Sequence, residues 1–280
     1  MTQNPTASHW ATARGAKWAA SLRGTEAMLA PVDAPLVAAL ALDGPYRLAE
    51  VGSGGGATAL EVLRQAPSGS VVHGFDVSPD LVDVARKRVP AGEHRVAFQV
   101  ADMSIAAPDA PYDRLYSRFG VMFFDEPRTA FANLARWLVP GGRFAFAVWG
   151  PLGENPWMAA VRDVVASIVE LPPAPPDAPG GFRYGDVARL VALLEGAGLR
   201  GLHVRDWRGT LPVGGELSAA EAARFAIGSF QSYAEVLASA GDAATAEAQR
   251  ALTARFEPHQ GGGAVRLDAR VHVVTGERPR

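Results

Sequence analysis

Four glycines within five positions, at residues 52–56, constrain this chain more than any other feature. This glycine turn follows a predicted strand, Arg47–Val51, and precedes a predicted helix, about Ala57–Gln65. Glycines permit positive φ and let a ligand approach the bare backbone, and a helix N-terminus offers free N–H groups to an anion. The alternative is a tight turn with no ligand, but so many glycines weaken a fold unless something uses the space. The turn therefore predicts a ligand site at the end of a sheet strand.

Strands and helices alternate after Pro45. The further predicted strands are Val71–Phe75, Val96–Val100, Arg114–Ser117 and Arg143–Trp149, and helices begin at Ser78 and span Pro127–Leu138. Such alternation is typical of a parallel sheet with helices on both faces, an α/β fold. Ahead of the sheet, residues 9–42 predict two short helices with a break near Pro31, since proline ends a helix.

The pattern changes after Trp149. We predict an extended proline-rich loop over Leu171–Gly180, a helix over Asp186–Gly196, and about two helices, Ser218–Ala240 and Ala243–Phe256, between strands Leu202–Trp207 and Val265–Thr275. A helical insertion between two terminal strands is more like a lid than an independent domain. The predicted parts are an N-terminal helical lid segment (1–44), an α/β core (45–150), a substrate loop with a helix and the sixth strand (151–207), a helical lid insertion (208–264), and the last strand and tail (265–280).

Composition excludes several functions. The 280 residues carry 27 basic and 29 acidic side chains, so no large basic field favours nucleic acid, and the absence of cysteine excludes thiolate metal sites and cysteine nucleophiles. The first residues lack the pattern of a signal peptide, and no apolar run reaches the ~18 residues of a membrane span. We expect a cytoplasmic protein with no nucleic-acid or membrane partner, and a monomer or homodimer.

Two further carboxylates suggest what the glycine turn binds. Asp76 ends the second predicted strand, 24 residues after Gly52, where a carboxylate can accept both hydroxyls of a ribose. Asp102 and Met103 follow the third strand and suit the edge and the face of an adenine. A helix-cap role for Asp76 and a surface turn at Asp102 are the alternatives. The glycines fit both a loose dinucleotide fingerprint and a second pattern that has an acid, Glu50, two residues before the first glycine.

In combination these motifs resemble class I S-adenosylmethionine (SAM)-dependent methyltransferases. The resemblance also includes Tyr112–Phe124 and Leu138–Arg143, is strong over residues 45–150, and is weaker over 150–207 and 265–276. Ser117–Phe124 and Glu154–Met158 are similar to a bacterial small-molecule branch related to quinone-biosynthesis methyltransferases. The family implies a Rossmann-like, seven-stranded, mostly parallel sheet with an antiparallel last strand, helices on both faces and, here, a helical lid insertion.

The resemblance also implies roles for individual residues. SAM would be the cofactor and S-adenosylhomocysteine the product. The residues implied to bind the cofactor are Glu50, Gly52, Ser53 and Gly54 at the methionine and ribose portion, Asp76 at the ribose hydroxyls, Val77, Asp102 and Met103 at the adenine, and Ser117 and Arg118 near the methionine end and the transferable methyl group.

An acceptor pocket is expected above the carboxyl edge of the sheet. Its predicted walls are aromatic: Trp10, Trp18, Phe119, Phe123, Trp149, Trp157, Tyr184, Phe225, Phe230 and Tyr233. As a set they favour an apolar or aromatic small-molecule acceptor, although each ring alone can simply join the lid to the core. Arg118 is a candidate for steering a carboxylate or phenolate of the acceptor.

The chemistry needs little from the protein beyond alignment, because a sulfonium methyl group is already activated. No catalytic base is assigned among the six histidines, of which His203 and His272 are candidates to pair across the terminal strands and His259 lies in a loop. No metal site is expected, since the sequence carries no ligand cluster. Two alternatives stay open: a SAM-binding protein of this fold without methyl transfer, cyclase-like or a binding module, and a nicotinamide-dependent oxidoreductase.

Overall fold

The computed structural model of this chain describes residues 15–171 and 177–280, and within them every side chain except those of residues 15–20 and Gln231. The helices are α1 (Gly15–Leu29), α2 (Asp33–Ala39), α3 (Ala57–Gln65), α4 (Pro79–Arg88), α5 (Pro127–Trp137), α6 (Pro156–Ile168), α7 (Val187–Gly196), α8 (Ala219–Ser229), α9 (Gln231–Ala240) and α10 (Asp242–Phe256). The strands are β1 (Arg47–Val51), β2 (Val71–Asp76), β3 (Val96–Val100), β4 (Tyr112–Arg118), β5 (Leu138–Trp149), β6 (Arg200–Pro212), β7 (Gln260–Gly261) and β8 (Ala264–Glu277).

The strands form one sheet in the order β3-β2-β1-β4-β5-β8-β6, and the short β7 pairs with β8. Strands β1 to β5 are parallel to one another, whereas β8 is antiparallel to both β5 and β6. The predicted Rossmann-like sheet with an antiparallel last strand is therefore confirmed. The two-residue strand β7 was not predicted.

Strand β1 lies at the point where the strand order reverses. It pairs with β2 on one side, Val51 opposite Phe75, and with β4 on the other, Glu50 opposite Tyr116. In open parallel sheets this reversal leaves a crevice at the carboxyl ends of the strands, and ligands bind there. The glycine turn follows β1 directly and lies at that crevice.

The core on one side of the sheet is aromatic. Trp137, at the end of α5, stacks on Tyr112 with ring centroids 5.8 Å apart and contacts Phe75 edge-on at 4.9 Å. Helix α5 begins at Pro127, which suits the first helical position because its missing N–H would have no helical partner. Its buried face carries Phe131 and Leu134, each of which contributes about 1.5–3 kcal/mol by leaving water.

Several predicted boundaries were wrong. The segment Ser218–Ala240 forms two helices, because Phe230 leaves the helical conformation (φ −108°, ψ 88°) while its ring packs 5.5 Å from that of Trp157. Strand β5 begins at Leu138 rather than Arg143, and it includes residues 140–142, where its pairing with β4 is irregular.

Helix α6 was not predicted, and α1 is one helix of 15 residues that ends before a 3-10 turn containing Pro31. The expected break near Pro31 is thus present. Of the predicted proline-rich loop, residues 172–176 lie outside the described residues. Within the described parts of the chain, no helix has both the length and the apolar character that a membrane span requires.

Candidate functional site

A cavity of about 2110 Å³ lies at the carboxyl ends of β1, β2 and β4. Its described walls are the glycine turn, the ends of these strands, one face of α1, and parts of α6, α8 and α9. A pocket for one drug-sized ligand occupies roughly 300–1,000 Å³. The cavity therefore has room for a cofactor and for a second ligand beside it.

The glycine turn uses positive φ at three positions: Gly52 (70°), Gly54 (53°) and Gly56 (83°). The N–H groups of Gly52 and Ser53 both donate to the carbonyl of Phe75, at 2.8 and 2.9 Å, which fixes the turn against β2. A Cβ at Gly56 would lie 2.6 Å from Cζ of Phe98, whereas a Cβ at Gly54 would meet nothing within 4 Å. Gly56 therefore serves packing, and Gly54 leaves open space on the cavity wall.

Asp76 joins the end of β2 to the glycine turn. Its Oδ2 accepts a hydrogen bond from the Gly54 N–H at 2.8 Å, and its Oδ1 accepts one from the Ser78 N–H at 2.9 Å. Burial raises the pKa of Asp76, and these backbone hydrogen bonds oppose that rise. Each carboxylate oxygen has a second lone pair, so the group can accept hydroxyl donors from the cavity as well.

Glu50 is buried on β1, with 1% of its surface exposed, and its Oε2 makes no hydrogen bond of good geometry among the described residues, although the phenol of Tyr116 on β4 lies close enough to interact with the carboxylate. Burial raises its pKa well above the ordinary value, and the nearby Arg118 guanidinium opposes that rise. The buried hydroxyl of Ser53 is without a described partner. A buried carboxylate oxygen without a well-formed hydrogen bond is a natural site for a cationic or N–H donor group of a ligand.

Arg118 ends β4 and lines the cavity beside Glu50. Its Nη1 lies 3.1 Å from Oδ1 and 3.2 Å from Oδ2 of Asp33, the first residue of α2. Sequence reasoning missed Asp33, because an acid in the first turn of a helix is ordinary and nothing in the local pattern marked a partner 85 residues away.

Ser117 is the one predicted cofactor residue that does not line the cavity. Its Oγ donates to the Val51 carbonyl at 2.7 Å and accepts from the Gly120 N–H at 3.1 Å, and the side chain is fully buried. Ser117 thus joins β4 to β1. The other nine predicted cofactor residues all lie on the cavity wall: Glu50, Gly52, Ser53, Gly54, Asp76, Val77, Asp102, Met103 and Arg118.

Asp102 and Met103 lie side by side on the wall after β3. The Oδ1 of Asp102 accepts hydrogen bonds from the backbone N–H of Ser104 at 2.9 Å and from its hydroxyl at 2.6 Å. The Met103 side chain is buried, and its carbonyl accepts from Nδ2 of Asn133 at 2.8 Å. This wall therefore offers a carboxylate edge next to an apolar surface, which suits a purine.

Aromatic rings line the part of the cavity beyond Arg118. Phe119 stacks on Trp149 with ring centroids 4.2 Å apart and an interplanar angle of 12°. The series continues from Trp149 to Trp157 at 6.1 Å, to Phe230 at 5.5 Å and to Tyr233 at 5.3 Å. Phe119 adopts a φ of 64°, a conformation that non-glycine residues seldom adopt. It lies on the cavity wall between Arg118 and the aromatic rings.

Seven of the ten aromatic residues predicted as pocket walls line the cavity. They are Phe119, Phe123, Trp149, Trp157, Phe225, Phe230 and Tyr233. Tyr184 does not: it is buried in the core, 6.4 Å from Phe131, and burial raises the pKa of its phenol to about 12. Trp10 lies outside the described residues, and the side chain of Trp18 is not described.

The histidines in the described part of the chain do not line the cavity. Of the five in the described residues, His73, His94, His203, His259 and His272, none lines it. The expected pairing of His203 with His272 was wrong, since His203 lies opposite Thr275 and Nδ1 of His272 lies 2.7 Å from Oδ1 of Asp206. His9 lies outside the described residues. The described residues also contain no group of three or more possible metal-ligating side chains.

Helix α1 covers the glycine turn from outside. Nη1 of Arg88 on α4 donates to Oε1 of Glu26 on α1 at 2.7 Å and to the Gly55 carbonyl at 2.8 Å. A Cβ at Gly55 would lie 2.5 Å from Leu22 of the same helix. Leu22 and Glu26 line the cavity, so α1 is part of its wall.

Comparison with known proteins finds similarity over the segment that carries the glycine turn and the strand ends of this site. Residues 49–146 match a family model described as a methyltransferase domain. A demethylmenaquinone methyltransferase of Deinococcus radiodurans is 32% identical over 119 residues, which cover 42% of this chain and 49% of that protein. The chain thus spans about half the length of the curated relatives it matches.

Solved structures of similar fold cover more of the chain. The YcgJ protein of Bacillus subtilis superposes with a TM-score of 0.59 at 16% identity, covering 90% of this chain and 99% of that one. The cyclase SpnF superposes with a TM-score of 0.57 at 17% identity, covering 99% and 98%. At these identities the likeness concerns the fold alone. The chain thus has the Rossmann-like fold of these structures, and residues 49–146 are similar in sequence to a methyltransferase domain.

Proposed function

We propose, from the similarity of residues 49–146 to a methyltransferase domain, that this chain transfers a methyl group from SAM to a small-molecule acceptor. The observation that carries the proposal is the meeting of Glu50, Asp76 and the open Gly54 position on the wall of one cavity. A demethylmenaquinone methyltransferase is among the proteins similar to this segment, which supports a small-molecule acceptor.

The acceptor groups and the apolar surface on the wall fit SAM from end to end. Asp102 and Met103 suit the adenine, and the free lone pairs of Asp76 suit the ribose hydroxyls. The Oε2 of Glu50, which makes no hydrogen bond of good geometry within the described part of the chain, suits the ammonium group of the methionine portion. The bare wall at Gly54 leaves room for the ligand beside the backbone.

When bound, SAM supplies an activated methyl group: a lone pair of the acceptor forms the new bond to the methyl carbon while the C–S bond breaks and its electron pair stays on sulfur. The chain aligns the acceptor on the far side of the methyl group from sulfur and excludes water. Because none of the described histidines lines the cavity, alignment rather than a histidine base is the proposed contribution.

We propose an apolar or aromatic acceptor, since the remaining cavity is lined by Phe119, Trp149, Trp157 and Phe230. Residues 1–44, of which the structure describes 15–44, and residues 208–264 are proposed as lids over the cavity, with 45–150, 151–207 and 265–280 as the rest of the fold. A cytoplasmic location, a bacterial source and a monomeric or homodimeric state complete the proposal.

The test is a transfer assay with methyl-deuterated SAM and a panel of phenols and quinols. We expect acceptor-dependent formation of S-adenosylhomocysteine and, by mass spectrometry, a product heavier by one labelled methyl group. Binding of SAM with no S-adenosylhomocysteine formed across a broad acceptor panel would instead support the SAM-binding alternative without transfer. Asp76→Ala serves as the control variant, because it removes the proposed ribose contact.

A further inference from the structure

Arginine is scarce around the proposed methionine end of the cofactor. Three arginines lie on the described cavity wall: Arg118, Arg162 and Arg224. Arg162 on α6 and Arg224 on α8 are exposed, and they lie on the helices that form the part of the wall proposed for the acceptor. Only Arg118, whose side chain is 9% exposed, lies at the strand ends next to Glu50 in the described part of the wall.

Asp33 forms an ion pair with that arginine and lies off the cavity wall. Its carboxylate is within 3.2 Å of Nη1 of Arg118 through both oxygens, and its own side chain is 12% exposed. The hydroxyl of Thr58 on α3 donates to Oδ1 of Asp33 at 3.1 Å, which fixes the carboxylate in turn. Asp33 itself does not line the cavity, so any effect on a ligand passes through Arg118.

The contact leaves part of the guanidinium free. It uses Nη1, and among the described residues Nε and Nη2 of Arg118 make no hydrogen bond. A planar guanidinium presents its five N–H donors in a fixed fork, so pinning one nitrogen sets the direction of the others. A carboxylate is the ligand group that matches such a fork.

We propose that Asp33 is a positioning residue, which fixes Arg118 so that its free N–H groups bind the carboxylate of the methionine portion of the cofactor. The inference rests on the proposed function, because it assumes a cofactor with an amino-acid end. The buried Oε2 of Glu50 then takes the ammonium group, and the two side chains together recognise a zwitterion. The segment that carries Asp33, ahead of the residues similar to a methyltransferase domain, thus becomes part of cofactor recognition.

The experiment compares two ligands by calorimetric titration: S-adenosylhomocysteine and its decarboxylated analogue, which keeps the ammonium group and lacks only the carboxylate. Asp33→Asn is expected to weaken binding of S-adenosylhomocysteine about tenfold or more and binding of the analogue less than about twofold. Asp33→Glu, which keeps the charge, should recover most of the loss. Arg118→Lys should resemble Asp33→Asn, because it keeps the charge and removes the fork.

If Asp33→Asn acts only by destabilising the fold, it does not discriminate between the two ligands. An equal loss of affinity for both ligands, or unchanged affinity for S-adenosylhomocysteine, in folded Asp33→Asn overturns the proposal; if that variant does not fold, Arg118→Lys decides by the same comparison. Asp206→Asn is the matched control, since it removes an ion-paired carboxylate away from the cavity and should leave both affinities unchanged. If the wild-type protein binds neither ligand, the proposed function fails before this inference is reached.

Discussion

Oδ1 of Asp33 and Nη1 of Arg118 lie 3.1 Å apart, and the two side chains are only 12% and 9% exposed. Asp33 precedes the first strand of the sheet, whereas Arg118 ends the fourth. Burial raises the pKa of Asp33, and the Arg118 guanidinium opposes the rise. The N-terminal segment is therefore joined to the cavity wall at the end of β4 by a buried ion pair, in addition to the packing of α1.

We expect Glu50 to make cofactor binding depend on pH. Burial raises the pKa of Glu50 above its ordinary value of 4.5, so the unliganded protein keeps the proton at pH values where a solvated glutamate has lost it. An ammonium group of the ligand favours the ionised form, so binding releases a proton below the raised pKa. We expect affinity for S-adenosylhomocysteine to rise with pH, by at most about tenfold per pH unit, and then to level off.

Titration in buffers of different ionisation enthalpy measures the released proton directly. Glu50→Gln should flatten the profile and bind more weakly at high pH. The same raised pKa means that Glu50 stabilises the unliganded fold below pH 4.5 and that this contribution is lost as pH rises through the raised value. An affinity that falls with rising pH in the wild-type protein would contradict this account of Glu50.

Substitutions at Gly56 and Gly54 are expected to have different effects, the first on packing and the second on ligand binding. At Gly56 (φ 83°) an added Cβ would lie 2.6 Å from Phe98, so Gly56→Ala should lower the free energy of unfolding by about 2–4 kcal/mol. At Gly54 (φ 53°) the Cβ meets nothing, so Gly54→Ala should cost only about 1–2 kcal/mol of backbone strain.

Gly54→Ala should nevertheless weaken binding of S-adenosylhomocysteine about tenfold or more, because the added methyl group enters the space proposed for the ligand. Urea unfolding and calorimetric titration of the two variants are the measurements. Gly54→Ala with wild-type affinity would show that the ligand does not approach the turn at this residue.

Phe119 is expected to affect turnover of the acceptor and not affinity for the cofactor. Phe119→Ala removes the ring that stacks on Trp149 at 4.2 Å, while the φ of 64° remains equally unfavourable for alanine. The expected result is a fall of about tenfold or more in kcat/KM for an aromatic acceptor, with affinity for S-adenosylhomocysteine within about threefold of wild type. Tyr184→Phe, a buried ring off the cavity, should leave acceptor kinetics unchanged. Equal losses for acceptor and cofactor in Phe119→Ala would count against a separate acceptor site.

The Glu26–Arg88 ion pair is expected to slow cofactor release, because it holds α1 over the glycine turn. Its side chains are 17% and 33% exposed, so its energy is modest, about 0.2–1 kcal/mol. Glu26→Gln should speed dissociation of S-adenosylhomocysteine by up to about fivefold in stopped-flow displacement. Glu61→Gln removes a comparable pair with Arg64 away from the cavity and should leave the rate unchanged. The account of α1 as a lid fails if both variants release the ligand at the wild-type rate.

The sequence was sufficient to predict the sheet and most of the residues that line the cavity near the glycine turn. The reason is that strand, glycine turn and helix are local patterns, and the carboxyl ends of parallel strands necessarily meet at one edge. Asp76 and Asp102 were found because they lie at or just after the ends of β2 and β3.

Features that depend on tertiary contacts were missed. Asp33 meets Arg118 only once α2 packs under the sheet, and Ser117 turns out to bond Val51 because its hydroxyl faces the neighbouring strand. Phe230 interrupts a helix without proline or glycine at that position, because its ring packs against Trp157. Tyr184 is aromatic like its predicted neighbours, but it lies in the core near Phe131, and composition does not distinguish the two locations.

The most direct test of the central claim is calorimetric titration of the wild-type protein and Asp76→Ala with S-adenosylhomocysteine, with NADH as the control ligand. The account predicts one site of micromolar affinity for S-adenosylhomocysteine, about 8 kcal/mol of binding free energy. It also predicts a loss of about a hundredfold or more in Asp76→Ala, and no binding of NADH. Binding of NADH in place of S-adenosylhomocysteine, or wild-type affinity in a folded Asp76→Ala, would contradict it.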